Sequence, residues 1–466
     1  MSEPREIVVL GGGPAGYVAA LRAAQLGAHV TLVEAREIGG TCLNRGCIPT
    51  KALVAATSRL RAARHAAEFG LLLGEPRVDF GALMARKAAV TAQQRSGVEH
   101  LLRGRKVEVV AGLGRLVDAH TLRVSDPATP GAGRDLSGDA VIIASGSRPT
   151  MPPVFDVGDS RVVTSDELLE IERPPARLAI VGGGVIGCEF GSIFAELGAD
   201  VTIVEMLDQL LPGEDRRAVA VLSQAFRKAG VVTRLKTVVE GVDVSSPAEV
   251  SMNLADGSTV AADLVLVSVG RSPVTAGLGL REAGVAIDDR GFVETDDTQR
   301  TSLDGVFAAG DVAGPPLLAH WAYRQGAAAA ENAVTGGRRM ADRRFVPNCV
   351  FSHPEVASFG TNEEQAGAEG LPVEIAHVRF NGNSKAVIEG ESDGLVRVVA
   401  RADDRRVIGA TLVGPHATEL VHELVLAAQA GLTVDDVAEA IHAHPTLSEA
   451  VGEAALGALG RGMHTL

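Results

Sequence analysis

The sequence predicts an α/β fold built from two copies of one doubly wound unit and closed by a C-terminal α+β segment. Three observations predict it. Residues 7–34, IVVLGGGPAGYVAALRAAQLGAHVTLVE, align without a gap onto residues 178–205, LAIVGGGVIGCEFGSIFAELGADVTIVE. Each copy reads as buried strand, glycine turn, helix and second strand, a βαβ unit of about 30 residues. After residue 345 the pattern changes to alternating apolar stretches at 394–399 and 407–413, followed by helical periodicity over 416–431 and 446–459.

In both copies G-x-G-x-x-G follows a strand, opens a helix and is followed by an acid that closes the next strand, Glu34 or Glu205. That context marks a Rossmann-like dinucleotide-binding unit rather than an isolated glycine turn. Gly11 and Gly182 allow the tight turn. Gly13 and Gly184 let the backbone approach a pyrophosphate, and Gly16 and Gly187 permit close packing of helix on strand. The helix N-terminus supplies unpaired N–H groups and positive partial charge for the phosphates. Glu34 and Glu205 can each accept hydrogen bonds from a ribose diol. No Arg occurs among residues 206–213, and a carboxylate repels a 2′-phosphate, so the second copy reads as selecting NAD over NADP.

Breaker clusters at residues 148–153, 271–273 and 336–344 set the boundaries. They predict a first nucleotide-binding domain over 1–149 and a second over 150–272. A central segment over 273–344 returns to the first domain, and 345–466 forms the final α+β domain. Residues 50–70 and 79–104 read as Ala-rich helices, and 238–244 and 264–269 as strands of the second unit.

Composition excludes several function classes. The chain has 466 residues, 46% apolar and 22% charged, with 44 Lys and Arg against 58 Asp and Glu, a formal net charge of −14. That acidic balance argues against sequence-independent nucleic-acid binding, which needs clustered cations to neutralise phosphates. One Trp, two Tyr and 12 Phe also leave little surface for stacking bases. The N-terminal MSEPRE and the short apolar stretch after it suggest no targeting segment, and no apolar run approaches the ~20 residues of a membrane span. The expected compartment is the cytoplasm, and the four cysteines are too few for a secreted disulfide framework.

Cys42 and Cys47 lie in GGTCLNRGCIPTK, residues 39–51, where the segment runs into a helix. A disulfide closing so small a loop contributes at most roughly 2 kcal/mol, a poor staple for a long chain. A thiol–disulfide couple makes chemical sense of the pair; spacing alone equally allows two buried reduced thiols. Near the C-terminus, Pro445 restricts His444 to extended backbone, and Thr446 with Glu449 fits a Thr-x-x-Glu capping box. Capping leaves His444 unexplained, and imidazole is suited to taking a thiol proton at neutral pH. A His442/His444 metal site is disfavoured because residues i and i+2 rarely converge. Cys188 and Cys349 read as small packing residues.

The two glycine motifs, the CxxxxC segment ending in Lys51, TSLDGVFAAGDV at 301–312 and HAHPTLSEA at 442–450 occur in an order that resembles the flavin-dependent pyridine nucleotide-disulfide oxidoreductases. The likeness extends from residue 7 to about residue 464. It implies FAD in the first unit, NAD in the second and a homodimer formed through the last domain. FAD would be held by Gly11, Gly13, Gly16, Glu34 and Gly112, with Lys51 near the reactive flavin nitrogen and Ser145 and Gly146 alongside. Asp311 would bind the ribityl or phosphate portion, and Leu318, Ala319 and His320 would approach the ring. Gly182, Gly184, Gly187, Glu205 and Gly270 would serve NAD. Glu189, grouped with the NAD site, would pair with Lys51; read without the resemblance, these two are an exposed ion pair worth about 0–1 kcal/mol. The resemblance makes Cys42 and Cys47 the redox disulfide, His444 the base and Glu449 its orienting partner, reaching across to the other subunit. The implied reaction is oxidation of protein-bound dihydrolipoamide to lipoamide by NAD+, with a lipoyl domain or lipoyl-carrier protein of a 2-oxoacid dehydrogenase or glycine cleavage system as partner. An NAD(P)H-dependent reductase of another small disulfide and a non-catalytic flavin-binding subunit are the alternatives. Trp321 and Tyr323 in LLAHWAYRQG, and more mildly Arg45 and Val274, depart from the family pattern.

Overall fold

The computed structural model describes residues 4–125 and 133–464. Met1, Ser2 and Glu3 of the N-terminal segment and Thr465 and Leu466 of the cysteine-free tail lie outside the described residues. The chain divides into two compact units, one of residues 1–53, 79–150 and 270–343, the other of residues 54–78, 151–269 and 344–466.

The first unit is built on a five-stranded parallel sheet in the order Val306–Ala308, Ala140–Ile143, Glu6–Leu10, His29–Glu34, Glu108–Ala111. Its strands are continuous apolar runs because both faces are covered. Ile7 and Val9 point into a core shared with Ala19, Ala23, Ala329 and Ala330 of the helices Pro14–Gln25 and Ala319–Thr335. Val8 and Leu10 point the other way, toward Leu116, Leu122 and Val124 of a three-stranded antiparallel sheet. Alternation along one strand thus fills two cores. The two helices approach closely: a Cβ on Gly326 would stand 2.2 Å from the Ala15 carbonyl oxygen.

The second unit repeats the scheme. Its parallel sheet runs Val232–Arg234, Asp200–Val204, Arg177–Val181, Leu264–Val267, Val162–Val163. Register is preserved as well as order, with Ile7 opposite Val30 in one sheet and Leu178 opposite Val201 in the other. Each parallel sheet is accompanied by a three-stranded antiparallel sheet inserted at the same point of the chain, so the internal repeat extends beyond the βαβ core seen in the sequence. The rest of this unit is a five-stranded antiparallel sheet, Asn348–Val350, Glu355–Gly360, Val407–Gly414, Leu395–Arg401, Val373–Arg379, packed with the helices Ala417–Gln429 and Glu449–Ala458 around Phe380, Val398, Leu412, Leu424 and Val451.

Two expectations change. The first Ala-rich helix starts earlier, at Cys47, and ends at Arg64 with a separate short turn at Ala66–Phe69. The last helix begins at Glu449 with Ser448 as its N-cap and no side-chain cap, so Thr446 and Glu449 do not form the predicted capping box. The Thr446 hydroxyl donates instead to the Ala443 carbonyl at 2.7 Å, closing the turn before the helix. Among the described residues no helix is long and apolar enough to cross a membrane.

Candidate active site

The two glycine loops are near-duplicates in geometry. Gly11 and Gly182 have φ +103 and +102, and a Cβ on either would lie 2.3 or 2.5 Å from the carbonyl oxygen of Ala144 or Ser268. Gly16 and Gly187 are tighter still: a Cβ would stand 1.8 or 1.9 Å from the first glycine's own carbonyl oxygen. The middle glycines cap their helices in extended conformation with no side-chain cap, leaving the first-turn N–H groups without a side-chain acceptor from the cap residue. A Cβ on Gly184 would meet nothing within 4 Å, and one on Gly13 only Gly40 Cα at 3.8 Å. These are cradles that a methyl group would fill, beside a positive helix end, and they fit the diphosphate of a dinucleotide. Gly184→Ala is therefore expected to fold with an unchanged Tm but to weaken NADH binding by about tenfold or more, read by equilibrium titration.

Glu34 and Glu205 do something that their sequence positions do not reveal. Glu34 accepts from Gly12 N at 2.6 Å and Arg36 N at 2.7 Å; Glu205 accepts from Gly183 N at 2.7 Å and Leu207 N at 2.8 Å. Each acid clamps its own glycine loop with both carboxylate oxygens, and remaining lone pairs can still accept from a ribose.

Cys42 lies in the short helix Gly40–Arg45, while Cys47 opens the helix Cys47–Arg64; Gly46 breaks the chain between them. Gly39 N donates to Gly12 O at 2.8 Å and Gly40 abuts Gly13, which fixes the cysteine segment against the first glycine loop. Asn44 ties it further through Nδ2 bonds to the carbonyls of Ile38 and Gly40, at 3.0 and 2.9 Å. Arg45 pairs with Glu37 at 2.8 Å and holds that carboxyl below its ordinary range. Cys42 is buried and Cys47 half-buried. Cys47 occupies the first helical turn, where the helix dipole favours a thiolate. The Cys42 thiol is pushed up, first by its hydrogen bond to Cys47 and then by burial, with Lys51 acting to lower it and Asp311 to raise it. The pair is thereby asymmetric: Cys42 is buried with its thiol pushed up, while Cys47 is half-buried at the start of a helix.

Asp311 accepts from the Ser147 hydroxyl at 2.5 Å, and Arg271 secures Ser147 through Nε to its Oγ at 2.7 Å and Nη2 to its carbonyl at 2.9 Å. Neither Ser147 nor this role of Arg271, which reads in the sequence as part of a breaker, is apparent from spacing alone; the SGSRP and GRSP strings carry the signal. Ser145 donates to Val274 O at 2.7 Å. Gly112 has φ +151 and a Cβ there would stand 2.6 Å from Val124 Cγ1, so its glycine identity follows from the turn between adjacent strands. Gly146 and Gly270 also have positive φ, with open space where a Cβ would be; Gly270 falls in the first unit. Leu318 caps the helix Ala319–Thr335 without a side-chain bond, which places Ala319 and His320 in its first turn.

In the second unit Glu189 is buried, and its Oε1 accepts from Phe351 N at 3.0 Å, which replaces the reading of an exposed carboxylate. His444 Nδ1 lies 2.9 Å from Glu449 Oε1, and Glu449 Oε2 accepts from Thr446 N at 2.8 Å. The Thr446 amide, then the His444 ring, hold the Glu449 carboxyl below its ordinary range. The His444 side chain is 70% exposed, which leaves its Nε2 edge toward solvent. His442 has a separate carboxylate, Glu423, at 2.9 Å.

Residues 5–326 match the family described as pyridine nucleotide-disulphide oxidoreductase, and residues 346–455 match the dimerisation domain of that family. The chain is 42% identical over 465 residues to a dihydrolipoyl dehydrogenase of Haloferax volcanii, covering 99% of this chain and 98% of that one. It is 41% identical over 463 residues to a dihydrolipoyl dehydrogenase of Geobacillus stearothermophilus, covering 99% and 97%. The crystal structure of LpdA from Mycobacterium tuberculosis superposes with a TM-score of 0.91 at 31% identity, covering 97% and 99%. With duplicated dinucleotide cradles, an asymmetric thiol pair and full-length likeness in both sequence and fold, the chain belongs to the pyridine nucleotide-disulphide oxidoreductases.

Proposed function

We propose that the chain oxidises a protein-bound dihydrolipoyl group to its cyclic disulfide with NAD+ as acceptor, working as a homodimer in the cytoplasm. The observation that carries this is the asymmetric Cys42–Cys47 pair fixed against a dinucleotide cradle, supported by the names of full-length relatives. Residues 1–149 and 273–344 form the FAD domain, 150–272 the NAD domain and 345–466 the interface domain. Gly11, Gly13, Gly16 and Glu34 would hold the FAD diphosphate and ribose, Asp311 the ribityl or phosphate portion, and Lys51, Ser145, Gly146, Leu318, Ala319 and His320 would border it, with Gly112 in support. Gly182, Gly184, Gly187 and Glu205 would hold NAD. When bound, FAD supplies a two-electron carrier between the cysteine pair and the pyridine nucleotide.

The chain's own residues handle sulfur and protons. With Cys42 and Cys47 joined as a disulfide, His444 of the partner subunit, its ring held by Glu449 of the partner subunit, takes the proton of a substrate thiol, and the thiolate so formed attacks Cys42 Sγ; the S–S bond breaks and Cys47 leaves as the thiolate that its helix end favours. The substrate's second sulfur, losing its proton, attacks the first, closing the product disulfide and expelling Cys42. Two electrons pass from substrate to the cysteine pair, and two protons leave the substrate. The partner is a lipoyl domain or lipoyl-carrier protein of a 2-oxoacid dehydrogenase or glycine cleavage system.

One flavin-loaded preparation decides the matter when given dihydrolipoamide with NAD+, and separately glutathione disulfide with NADPH. The expected result is NADH formation in the first assay and no NADPH consumption in the second. The reverse pattern would replace this function with disulfide reduction, and activity in neither would point to a non-catalytic flavin-binding subunit.

A further inference from the structure

Glu205 follows the strand Asp200–Val204, and residues 206–215 then lead into the helix Arg216–Lys228. That loop closes on the second glycine motif. Leu207 N donates to Glu205 Oε1 at 2.8 Å, Leu211 N donates to the Gly183 carbonyl at 2.8 Å, and a Cβ on Gly183 would stand 2.7 Å from Leu210 Cδ2. Leu211 is buried at φ +45, a left-handed conformation that a branched side chain keeps only where the surrounding structure holds it. The far end of the loop is fastened to the last part of the chain. Asn362 Nδ2 donates to the Gly213 carbonyl at 2.9 Å, Asn348 Nδ2 to Glu214 Oε1 at 2.7 Å, and Arg397 Nη1 to Asp215 Oδ2. Asn348, Asn362 and Arg397 all fall within the stretch that matches the dimerisation domain.

We infer that Arg397 is a positioning residue for NAD: through Asp215 it holds the 206–215 loop in the shape that sets Glu205 and Gly183 at the second cradle, so that the dimerisation domain governs the affinity of a site built in another domain. The inference rests on the assignment of that cradle to NAD and is independent of which dithiol is oxidised. The side chains of Arg397 and Asp215 are each 3% exposed. Arg397 Nη2 donates to Glu363 Oε2 at 2.6 Å, and its Nε has no hydrogen bond among the described residues. A buried ion pair with an unpartnered N–H is a weak source of stability, because desolvation offsets its attraction; what it fixes is position. Asp215 Oδ1 also accepts from Arg217 N at 2.8 Å and Ala218 N at 3.3 Å, so one carboxylate joins the end of the loop to the start of its helix, and the Arg397 bond holds both. Beside these bonds the loop and the helix Glu363–Glu369 stand apart around a cavity of about 250 Å³, bordered by Leu207, Pro212, Arg216, Glu364 and Gln365. Discrete bonds, more than continuous packing, therefore set where the loop lies.

The test is equilibrium titration of the flavin-loaded protein with NADH, well below the Tm of each variant. Arg397→Met combined with Asp215→Asn replaces the pair with neutral groups, keeps a side-chain oxygen to cap the helix and strands no buried charge. NADH binding is expected to weaken by about tenfold, with FAD content unchanged. Arg397→Lys keeps a cation for Asp215 and is expected to bind within about threefold of the parent. Asn348→Ala combined with Asn362→Asp removes the other two fastenings while leaving an acceptor to cap the helix at 362, and is expected to weaken binding by about threefold. Parent-like NADH affinity in the Arg397/Asp215 variant, with only its Tm lowered, overturns the inference. If that variant does not fold, the asparagine pair decides, and parent-like affinity there is equally fatal. Gly184→Ala in the same titration separates the two levels of the argument. If it binds NADH as the parent does, the cradle assignment falls and this inference falls with it; if it binds weakly while the Arg397/Asp215 variant binds normally, only this inference falls.

Discussion

Cys42→Ser and Cys47→Ser should each lower dihydrolipoamide-dependent NAD+ reduction by at least about a thousandfold, while the purified variants keep their bound FAD. The reasons differ. Without Cys42 there is no sulfur for the substrate thiolate to attack. Without Cys47 the attacked sulfur has no leaving group, and Cys42 is left as a buried thiol whose ionisation Asp311 opposes. A serine hydroxyl nearly matches the thiol in size but cannot form the S–S bond through which two electrons are exchanged. Flavin retention follows because the cradle of Gly11, Gly13 and Gly16 is set by backbone contacts to Ala144, Gly11 and Gly40, none of which involves either sulfur. The measurement is steady-state NADH formation beside the flavin absorbance of the same sample. Residual turnover near the parent value in either variant would remove the pair from the mechanism, and loss of flavin would show that the cysteines hold the site together as well.

What the sequence made legible is what local backbone geometry dictates. Gly16 and Gly187 must be glycine because their Cβ positions coincide with a carbonyl oxygen five residues back, and such a requirement leaves the same letters at the same spacing in both copies. The alternation of Ile7, Val8, Val9 and Leu10 between two cores likewise follows from a period of two. Contacts between distant segments left no such mark. Ser147, Arg271 and Asp311 meet from three separate stretches of chain, and nothing in their spacing pairs them. Tyr323 could be noticed in the sequence only as a departure from a pattern; its partner Tyr17 became apparent once two helices were packed together. Thr446 and Glu449 depart from the capping-box expectation for a related reason. The Thr-x-x-Glu spacing is genuine, but the Thr446 hydroxyl is taken by Ala443 and the glutamate reaches back to His444, so a pattern that usually caps a helix here organises the turn before it.

That turn sets the second large effect. His444→Ala should reduce dithiol oxidation by about 10²–10⁴-fold, the usual worth of a positioned general base, and should remove the fall in rate on the acid side of the pH profile. Glu449→Gln should cost less, about tenfold, because the glutamate acts through the ring that its Oε1 holds at Nδ1, 2.9 Å away, while the base itself remains in place. Glu449 does not itself titrate near neutrality in the folded protein. The Thr446 amide and then the His444 ring depress its carboxyl, so the stabilisation it contributes is present above the ordinary carboxylate range and is lost only as pH falls through the lowered value. A pH profile of kcat/KM for dihydrolipoamide on the two variants separates these roles, since a merely structural pair would lower the rate equally at every pH. An acid limb that survives in His444→Ala would assign it to another group and return His444 to the surface it occupies.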